Sequence, residues 1–305
     1  MRKTSLNSIM ELAKKNSNII YIGSDLGAGT LDEMKKEFPD RFLMEGISEQ
    51  HIIGLAAGLA LEGFIPYVNT IGTFLTRRCY EQVVLDLCLQ NLPVRLIANG
   101  GGVVYAPLGP THLAVEDIAI LRPLPNMTII SPSDANEMKN LMAETVDLNG
   151  PLYVRLGKGG DKVISENIKS FKIGKALIYK NPGKVTILST GVMTQIALDV
   201  SKKLSDQGIS CGVIHFHTLK PLDIDLIKQI FSQSNLYFTI EEHFLSGGFG
   251  SSILESCNEL GIETKNIHRI GIPDKFAEHY GSQNSLLKKW NIDVESIFLN
   301  IKEKL

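Results

Sequence analysis

Short runs of β-branched and aromatic residues alternate along the chain with longer segments whose apolar residues recur at helical spacing. Five such runs occupy the first half, at residues 19–24, 66–71, 94–99, 127–131 and 152–156. Four more occupy the second half, at 185–190, 211–216, 235–242 and 267–272. Strands that alternate with helices are typical of a mostly parallel sheet flanked by helices. The pattern therefore predicts an α/β protein with two domains.

The alternation weakens between residues 157 and 184, where the sequence is rich in glycine and lysine. Such a composition is typical of a connecting segment. We therefore expect residues 1–170 to form the first domain and residues 171–305 the second. A chain of 305 residues also exceeds the usual size of a single domain.

Two helix starts are notable. Ser133 is the predicted N-cap of the helix in "DANEMKNLMAETVDL". Glu49 directly precedes "IIGLAAGLALEG", which is apolar on nearly every face and therefore predicts a buried helix. A buried carboxylate is costly unless it is neutralised or paired. Glu49 is thus either an acidic first-turn residue favoured by the helix dipole or a residue with a chemical partner.

The composition excludes some classes of protein but does not indicate a function. The chain is 44% apolar and 21% charged with a net charge of −2, so it shows no electrostatic footprint for nucleic acid or anionic membranes. Its four cysteines are scattered without C-x-x-C spacing, which favours reduced thiols in a cytoplasmic protein. We find neither the apolar core of a signal peptide nor a run approaching the ~20 residues of a membrane span.

Common cofactor and catalytic motifs are missing. The sequence has no G-x-G-x-x-G after the first strand, no phosphate-binding P-loop, no G-x-S-x-G and no carboxylate–histidine cluster at metal-ligand spacing. Polar and glycine-rich stretches instead follow predicted strands at 23–30, 100–112 and 155–160, where open α/β sheets bind ligands. Considered one at a time, the residues of these stretches also fit non-catalytic roles, such as a histidine in a loop or an arginine in a surface ion pair.

Together the stretches resemble the thiamine-diphosphate transketolase family. "GISEQH", "TFLTRRCYEQ", "GPTHLAVEDIAILRPLPN" and "YVRLGK" resemble its pyrimidine-binding domain, and "EEHFLSGGFGS" resembles its carboxy-terminal domain. The resemblance covers essentially the whole chain, which by length and layout is similar to the second subunit of a split transketolase. It implies a thiamine-diphosphate pyrimidine-binding fold followed by a transketolase C-terminal-like domain.

The resemblance implies a catalytic role for Glu49 and His112. The family's glutamate hydrogen-bonds a pyrimidine ring nitrogen and favours the imino tautomer, whose nitrogen then acts as the base. Burial favours the protonated carboxyl and the helix N-terminus favours the anion; we expect burial to prevail. His112 matches the "GPTH" histidine, which steadies the ketose oxygens and the developing charge.

Further contacts follow from the same resemblance. For the cofactor, it implies contacts from Asp25, Leu26, Phe74, Arg77 and Tyr80, with Leu26 as the apolar support that bends the cofactor. Phe74 and Tyr80 are expected on one helix face, although such aromatics more often belong to a core. For the substrate, it implies that Arg2 and Arg155 bind a sugar phosphate alongside His112, a use suited to a bidentate donor.

Three positions depart from the family's pattern. Gly29 stands where a serine is expected, Gly100 where a histidine is expected and Leu108 where an acidic residue is expected. Because these family positions contact sugar hydroxyls or phosphate, we expect retained cofactor chemistry with a rebuilt substrate pocket. The identity of the ketose donor and the acceptor therefore stays open.

The diphosphate and its magnesium ion need a second set of residues. The family holds them through a "GDG…N" motif, which does not occur in this sequence. We therefore expect a separate diphosphate-binding partner, in a two-plus-two heterotetramer that transfers a two-carbon ketol unit between sugars. The alternatives are the beta subunit of a 2-oxo-acid dehydrogenase and a non-catalytic structural subunit. A single-chain deoxyxylulose-phosphate synthase is disfavoured because its amino-terminal half is absent.

Overall fold

Helices and strands alternate through the computed structural model, which describes residues 1–24, 29–157, 160–168 and 170–305. The strands of the first half are β1 Ile19–Gly23, β2 Phe42–Met44, β3 Ile65–Ile71, β4 Arg95–Asn99, β5 Thr128–Ile130 and β6 Leu152–Leu156. Its α-helices are α1 Arg2–Lys15, α2 Asp32–Glu37, α3 Glu49–Leu61, α4 Gly72–Thr76, α5 Tyr80–Gln82, α6 Asp117–Leu121 and α7 Ala135–Glu144. A π-helix covers Val83–Cys88, and short 3₁₀ turns cover Pro39–Arg41, Ala106–Leu108 and Pro110–His112.

The second half repeats the alternation. Its strands are β7 Leu177–Lys180, β8 Val185–Ser189, β9 Cys211–His215, β10 Thr218–Lys220, β11 Leu236–Phe244 and β12 Ile267–Ile272. Its helices are α8 Met193–Ser205, α9 Ile224–Ile230, α10 Phe249–Glu259, α11 Gln283–Lys289 and α12 Val294–Lys304. In the described part of the chain, no helix is both long enough and apolar enough to cross a membrane.

The described strands form two sheets. One has the order β10-β5-β6-β4-β3-β1-β2, and the other has the order β12-β11-β8-β9-β7. Neighbouring strands run parallel except for β10 beside β5 and β7 beside β9. Strands β1, β4, β6, β8 and β9 are buried along their whole length, as expected for parallel strands covered by helices on both faces. The predicted α/β class with two mostly parallel sheets is confirmed.

Several local predictions need correction. The segment 157–184, interpreted as a connection, contains β7, which pairs with β9. Strand β10 belongs by sequence to the second half but adds to the first sheet. Both strands are too short for a clear pattern of alternating burial. The N-cap of α7 is Asp134 rather than Ser133, because the Asp134 carboxylate accepts a hydrogen bond from the backbone N–H of Glu137.

A buried polar network joins the two halves of the chain. The fully buried His215 of β9 contacts the Glu137 carboxylate of α7 at 3.0 Å. The Ser133 hydroxyl donates to the same carboxylate oxygen at 2.6 Å. The ring of His217 lies 6.0 Å from that of His215, and burial lowers the pKa of His217 to about 4. The halves are thus connected by polar contacts as well as by apolar packing.

Candidate active site

Glu49 is the first residue of α3, and its side chain is 1% exposed. Ser48 precedes it and turns its hydroxyl to the backbone carbonyl of Glu45 at 2.8 Å. The predicted burial of this carboxyl group is therefore confirmed. The helix that follows is buried on one face only, however: Leu61 at its end is 68% exposed, which corrects the prediction of a helix buried all round.

An open cleft borders the Glu49 carboxylate. It is lined by residues 47–51 and by Arg78, which donates from Nη1 to Oε2 of Glu49 at 2.5 Å. Arg78 is not among the predicted site residues. The sequence places it next to Arg77 in "TRRCY", and nothing in that spacing shows which of the two arginines reaches the carboxylate.

Phe74 connects the Glu49 region to His112. The guanidinium carbon of Arg78 lies 4.2 Å from the centre of the Phe74 ring, in cation–π geometry. The His112 ring meets the Phe74 ring edge-on at a centroid distance of 5.3 Å. Nδ1 of His112 lies 2.9 Å from the hydroxyl of Thr111. The structure therefore brings Glu49, Phe74 and His112 into one region with Arg78 between Glu49 and Phe74.

The side chains of Arg77 and Tyr80 contact residues 113–120 rather than the Glu49 carboxylate. Arg77 contacts the Glu116 carboxylate at 2.6 Å and donates to the carbonyl of Leu113 at 2.5 Å. Tyr80 donates its hydroxyl to the carbonyl of Ile120 at 2.9 Å. Both side chains thus fasten the segment that follows "GPTH".

The prediction that Phe74 and Tyr80 share one helix face is wrong. Phe74 lies in α4, which ends at Thr76, and Tyr80 begins α5 after a break at Cys79. The π-helix that follows adds a further change of helical pitch. The helix is interrupted at Cys79, whose backbone leaves the helical conformation (φ −114°, ψ 17°).

Arg155 has protein partners for its guanidinium group, and its predicted role in binding a sugar phosphate stays a prediction. Its side chain is buried, and Nε pairs with the Asp117 carboxylate at 2.8 Å. Nη2 donates to the backbone carbonyls of Ala114 and Glu242, each at 2.9 Å. A guanidinium engaged in this way joins both halves of the chain. Arg2, by contrast, is exposed at the start of α1, where its predicted role stays a prediction.

The glycines of the loop after β4 lie close to neighbouring side chains. Gly100 has φ of +78°, and a Cβ built there would overlap the ring of Tyr105. A Cβ on Gly102 would lie 2.5 Å from the Glu242 side chain. A histidine at residue 100 would require the Tyr105 ring to move and would hold an L residue at a φ that such residues rarely adopt.

The "EEH" segment of β11 packs its three side chains against neighbouring backbone. Glu241 accepts hydrogen bonds from the N–H groups of Phe249 and Gly250 at the start of α10. Glu242 accepts one from the N–H of Val103 at 2.8 Å. Burial raises the pKa of Glu241 and of Glu242 to about 7, and burial lowers the pKa of His243 to about 4. Glu242 and His243, which accepts from the N–H of Ala119, connect the two halves, whereas Glu241 holds the start of α10 within the second half.

Two family models match this chain. Residues 1–160 match the transketolase pyrimidine binding domain, and residues 174–297 match the transketolase C-terminal domain. The chain belongs to the transketolase family. The unmatched residues 161–173 lie between the two domains of this transketolase-family chain and include the predicted boundary near residue 170.

Relatives of two kinds are similar to this transketolase-family chain. The 1-deoxy-D-xylulose-5-phosphate synthase 1 of Geobacter sulfurreducens is 38% identical over 95% of the chain, and that of Caldanaerobacter subterraneus is 39% identical over 95%. The chain spans about half the length of these synthases, 46% in both cases. A putative transketolase C-terminal section of Methanocaldococcus jannaschii is 35% identical and is matched over 100% of the chain and 96% of its own length.

The solved structures also include one chain of similar length and one that is about twice as long. A split gene transketolase described as an inactive beta4 tetramer superposes with a TM-score of 0.89 at 31% identity, covering 99% of this chain and 97% of that one. The transketolase of Campylobacter jejuni superposes with a TM-score of 0.80 at 21% identity over 46% of its length, which supports the fold alone. This transketolase-family chain therefore corresponds in extent to one subunit of a split enzyme.

The residues of the candidate site fit part of thiamine diphosphate, the cofactor of the transketolase family. A buried carboxylate beside an open cleft, with an aromatic ring near it, suits a flat aminopyrimidine with N–H groups. Among the described residues, no group of three or more histidine, cysteine, aspartate or glutamate side chains could hold a metal ion. The predicted contacts from Asp25 and Leu26 lie outside the described residues.

Proposed function

We propose that this chain is the pyrimidine-binding subunit of a split, thiamine-diphosphate-dependent transketolase-type enzyme. The enzyme transfers a two-carbon ketol unit between sugar or sugar phosphate substrates. The observation that carries this proposal is the Glu49 carboxyl group, 1% exposed at the start of α3 and open only toward a cleft. A merely capping glutamate has no need for such burial, because a first-turn carboxylate is stabilised equally well in solvent.

Each side chain of the site has a defined task in this proposal. Glu49 holds a proton at its carboxyl oxygen against the ring nitrogen of the aminopyrimidine. Phe74 packs against the ring, and His112 orients the oxygens of the ketose and balances their developing charge. Arg77 holds the His112 segment in place through Leu113 and Glu116. When bound, thiamine diphosphate supplies a nucleophilic carbon on its thiazolium ring.

A second polypeptide completes the site. We propose that it holds the diphosphate and Mg²⁺, since no group of three or more histidine, cysteine, aspartate or glutamate side chains among the described residues could hold the metal ion. Ile47, two residues before Glu49, is an exposed apolar side chain at the cleft, and we propose that the partner covers it. We propose a two-plus-two heterotetramer in the cytoplasm; the split-gene relative, a beta4 tetramer described as inactive, is in keeping with the need for a second kind of subunit.

A second candidate activity comes from the similar synthases. The name of their product, a 1-deoxy sugar, describes transfer of a two-carbon unit that lacks the terminal hydroxyl. The same Glu49 and Phe74 contacts would serve either reaction, so the two activities differ in the donor. The choice of donor is left to experiment.

The test combines the chain with the polypeptide of its own genome that carries "GDG" followed by an asparagine. With thiamine diphosphate, Mg²⁺ and glyceraldehyde 3-phosphate as acceptor, turnover of hydroxypyruvate indicates ketol transfer, and turnover of pyruvate indicates the synthase reaction. We expect Glu49→Gln to lower kcat by about 100-fold or more. Glu45→Gln, four residues earlier and partly exposed, is the matched control and should leave kcat unchanged.

Two results would contradict the proposal. Full turnover by the Glu49→Gln complex would show that the subunit is structural. Tight calorimetric binding of thiamine diphosphate to this chain alone, with Mg²⁺ present, would show that no second polypeptide is needed.

A further inference from the structure

Arg78 stands in the cleft where the proposed cofactor contacts converge. Its Nη1 donates to Oε2 of Glu49 at 2.5 Å, and its guanidinium carbon lies 4.2 Å from the centre of the Phe74 ring. Glu49 and Phe74 are also the two side chains assigned to the aminopyrimidine under the proposed function. One arginine therefore makes both contacts that the cofactor ring needs.

The two groups are chemically alike. A guanidinium and an aminopyrimidine are both flat, both present N–H donors at their edge, and both stack on an aromatic face. A carboxylate at the start of a helix accepts from either group. Two flat groups cannot hold the same position against the same ring, so the arginine and the pyrimidine compete.

We infer that Arg78 is a gating residue that occupies the aminopyrimidine position of the free chain and must swing out before the cofactor binds. This inference rests on the proposed function. It adds that the chain screens its own buried carboxylate until a cofactor-bearing partner arrives. Glu49, 1% exposed, is then never left as an unpaired buried charge.

The mobility of Arg78 can be judged against its neighbour. Arg77 is fastened by both the Leu113 carbonyl and the Glu116 carboxylate. Within the described residues Arg78 forms one ion pair, to Glu49, and its side chain is 41% exposed. The guanidinium can therefore leave toward solvent while its backbone stays in place. The two adjacent arginines thus have different tasks: Arg77 holds a segment and Arg78 covers a site.

The experiment measures binding of a neutral probe, 4-amino-5-hydroxymethyl-2-methylpyrimidine, to the full chain by calorimetry or ligand-observed NMR. This probe lacks the diphosphate and the positive thiazolium ring, so neither the partner nor charge repulsion affects the comparison. We expect Arg78→Met to bind the probe about tenfold more tightly than wild type, the scale of one charge-assisted hydrogen bond. Arg78→Lys keeps the charge without the flat stack and should give a smaller gain.

Two controls locate the effect. Arg77→Met, at the adjacent position, should give no gain in affinity. Adding Glu49→Gln to Arg78→Met should abolish the gain, because the probe then loses the carboxylate that the arginine had covered. Circular dichroism of each variant confirms that it is folded.

Equal or weaker binding by Arg78→Met would overturn the inference and would make Arg78 a stacking partner of the pyrimidine. Absence of binding by every variant would overturn it as well, since removing the side chain would not have opened the site. The proposed function does not depend on either result, because turnover of the Glu49→Gln complex decides it separately.

Discussion

Replacing Arg155 by methionine distinguishes a structural arginine from a phosphate-binding one. The substitution keeps an unbranched apolar stem but shortens the side chain and removes its charge and all its donors. In the structure, Arg155 pairs with Asp117 at 2.8 Å and donates to the carbonyls of Ala114 and Glu242. The side chains of Arg155 and Asp117 are 6% and 0% exposed, so solvent cannot replace the lost partner.

The expected loss of stability is large. Removing one partner of a buried ion pair costs about 3–5 kcal/mol, because the remaining charge stays buried without compensation. The Tyr153 hydroxyl still donates to Asp117 at 2.8 Å, which places the estimate at the lower end, about 3 kcal/mol. Since 1 kcal/mol shifts the melting temperature of a domain of 150–250 residues by about 2–4 °C, we expect a fall of about 10 °C.

The assay is urea unfolding followed by far-ultraviolet circular dichroism, with the fluorescence of the single tryptophan, Trp290, as a second probe. Arg2→Met is the matched control, because Arg2 is exposed and its removal should change the free energy of unfolding by less than about 0.5 kcal/mol. Combining Arg155→Met with Asp117→Leu should cost less than the sum of the single variants, since neither charge is then left alone.

One result would refute the structural role of Arg155. If Arg155→Met unfolds at the urea concentration of the wild type but raises KM for a sugar phosphate in the assembled enzyme, Arg155 binds substrate after all. The ion pair with Asp117 would then contribute little to stability. A loss of stability without that kinetic change confirms the structural role.

Two further predictions concern buried side chains elsewhere. The pKa of His217 is lowered to about 4 from an ordinary value of 6.5, by burial first, with Glu137 opposing the shift. Between these values the unfolded chain binds a proton that the folded chain does not, so the free energy of unfolding should fall by about 2 kcal/mol from pH 7 to pH 5 on account of this group. The stability difference between wild type and His217→Gln should therefore change by that amount over this range, and a difference independent of pH would show that folding leaves the pKa of His217 unchanged. Gly100→His should destabilise the chain by about 1–3 kcal/mol through the left-handed backbone alone, with overlap against Tyr105 adding to it. Adding Tyr105→Ala should recover part of the loss in urea unfolding, and no recovery would mean that the ring does not block residue 100.

Much of the fold is readable from the sequence because its signals are local. Runs of β-branched residues predicted nine strands close to their observed bounds, and the apolar segment after Glu49 predicted a helix that begins at that residue. The burial of Glu49 was also expected, although the apolar pattern alone does not require it, because residues 50 and 51 of the same helix are exposed. Strands β2, β7 and β10 were missed, because three or four residues are too few to show a period and their partners come from distant parts of the chain.

The partners of charged side chains were decided by the tertiary structure. "TRRCY" contains two adjacent arginines, and only the packed chain shows that Arg78 meets Glu49 while Arg77 meets Glu116. From the sequence, Arg155 was expected to bind a phosphate; in the structure it pairs with Asp117, 38 residues away in the chain. By itself the sequence determined the succession of helices and strands, the family and the buried acid at residue 49. The tertiary structure decided which charges face each other, because a side chain's partner depends on contacts across the whole fold and not on its neighbours in the chain.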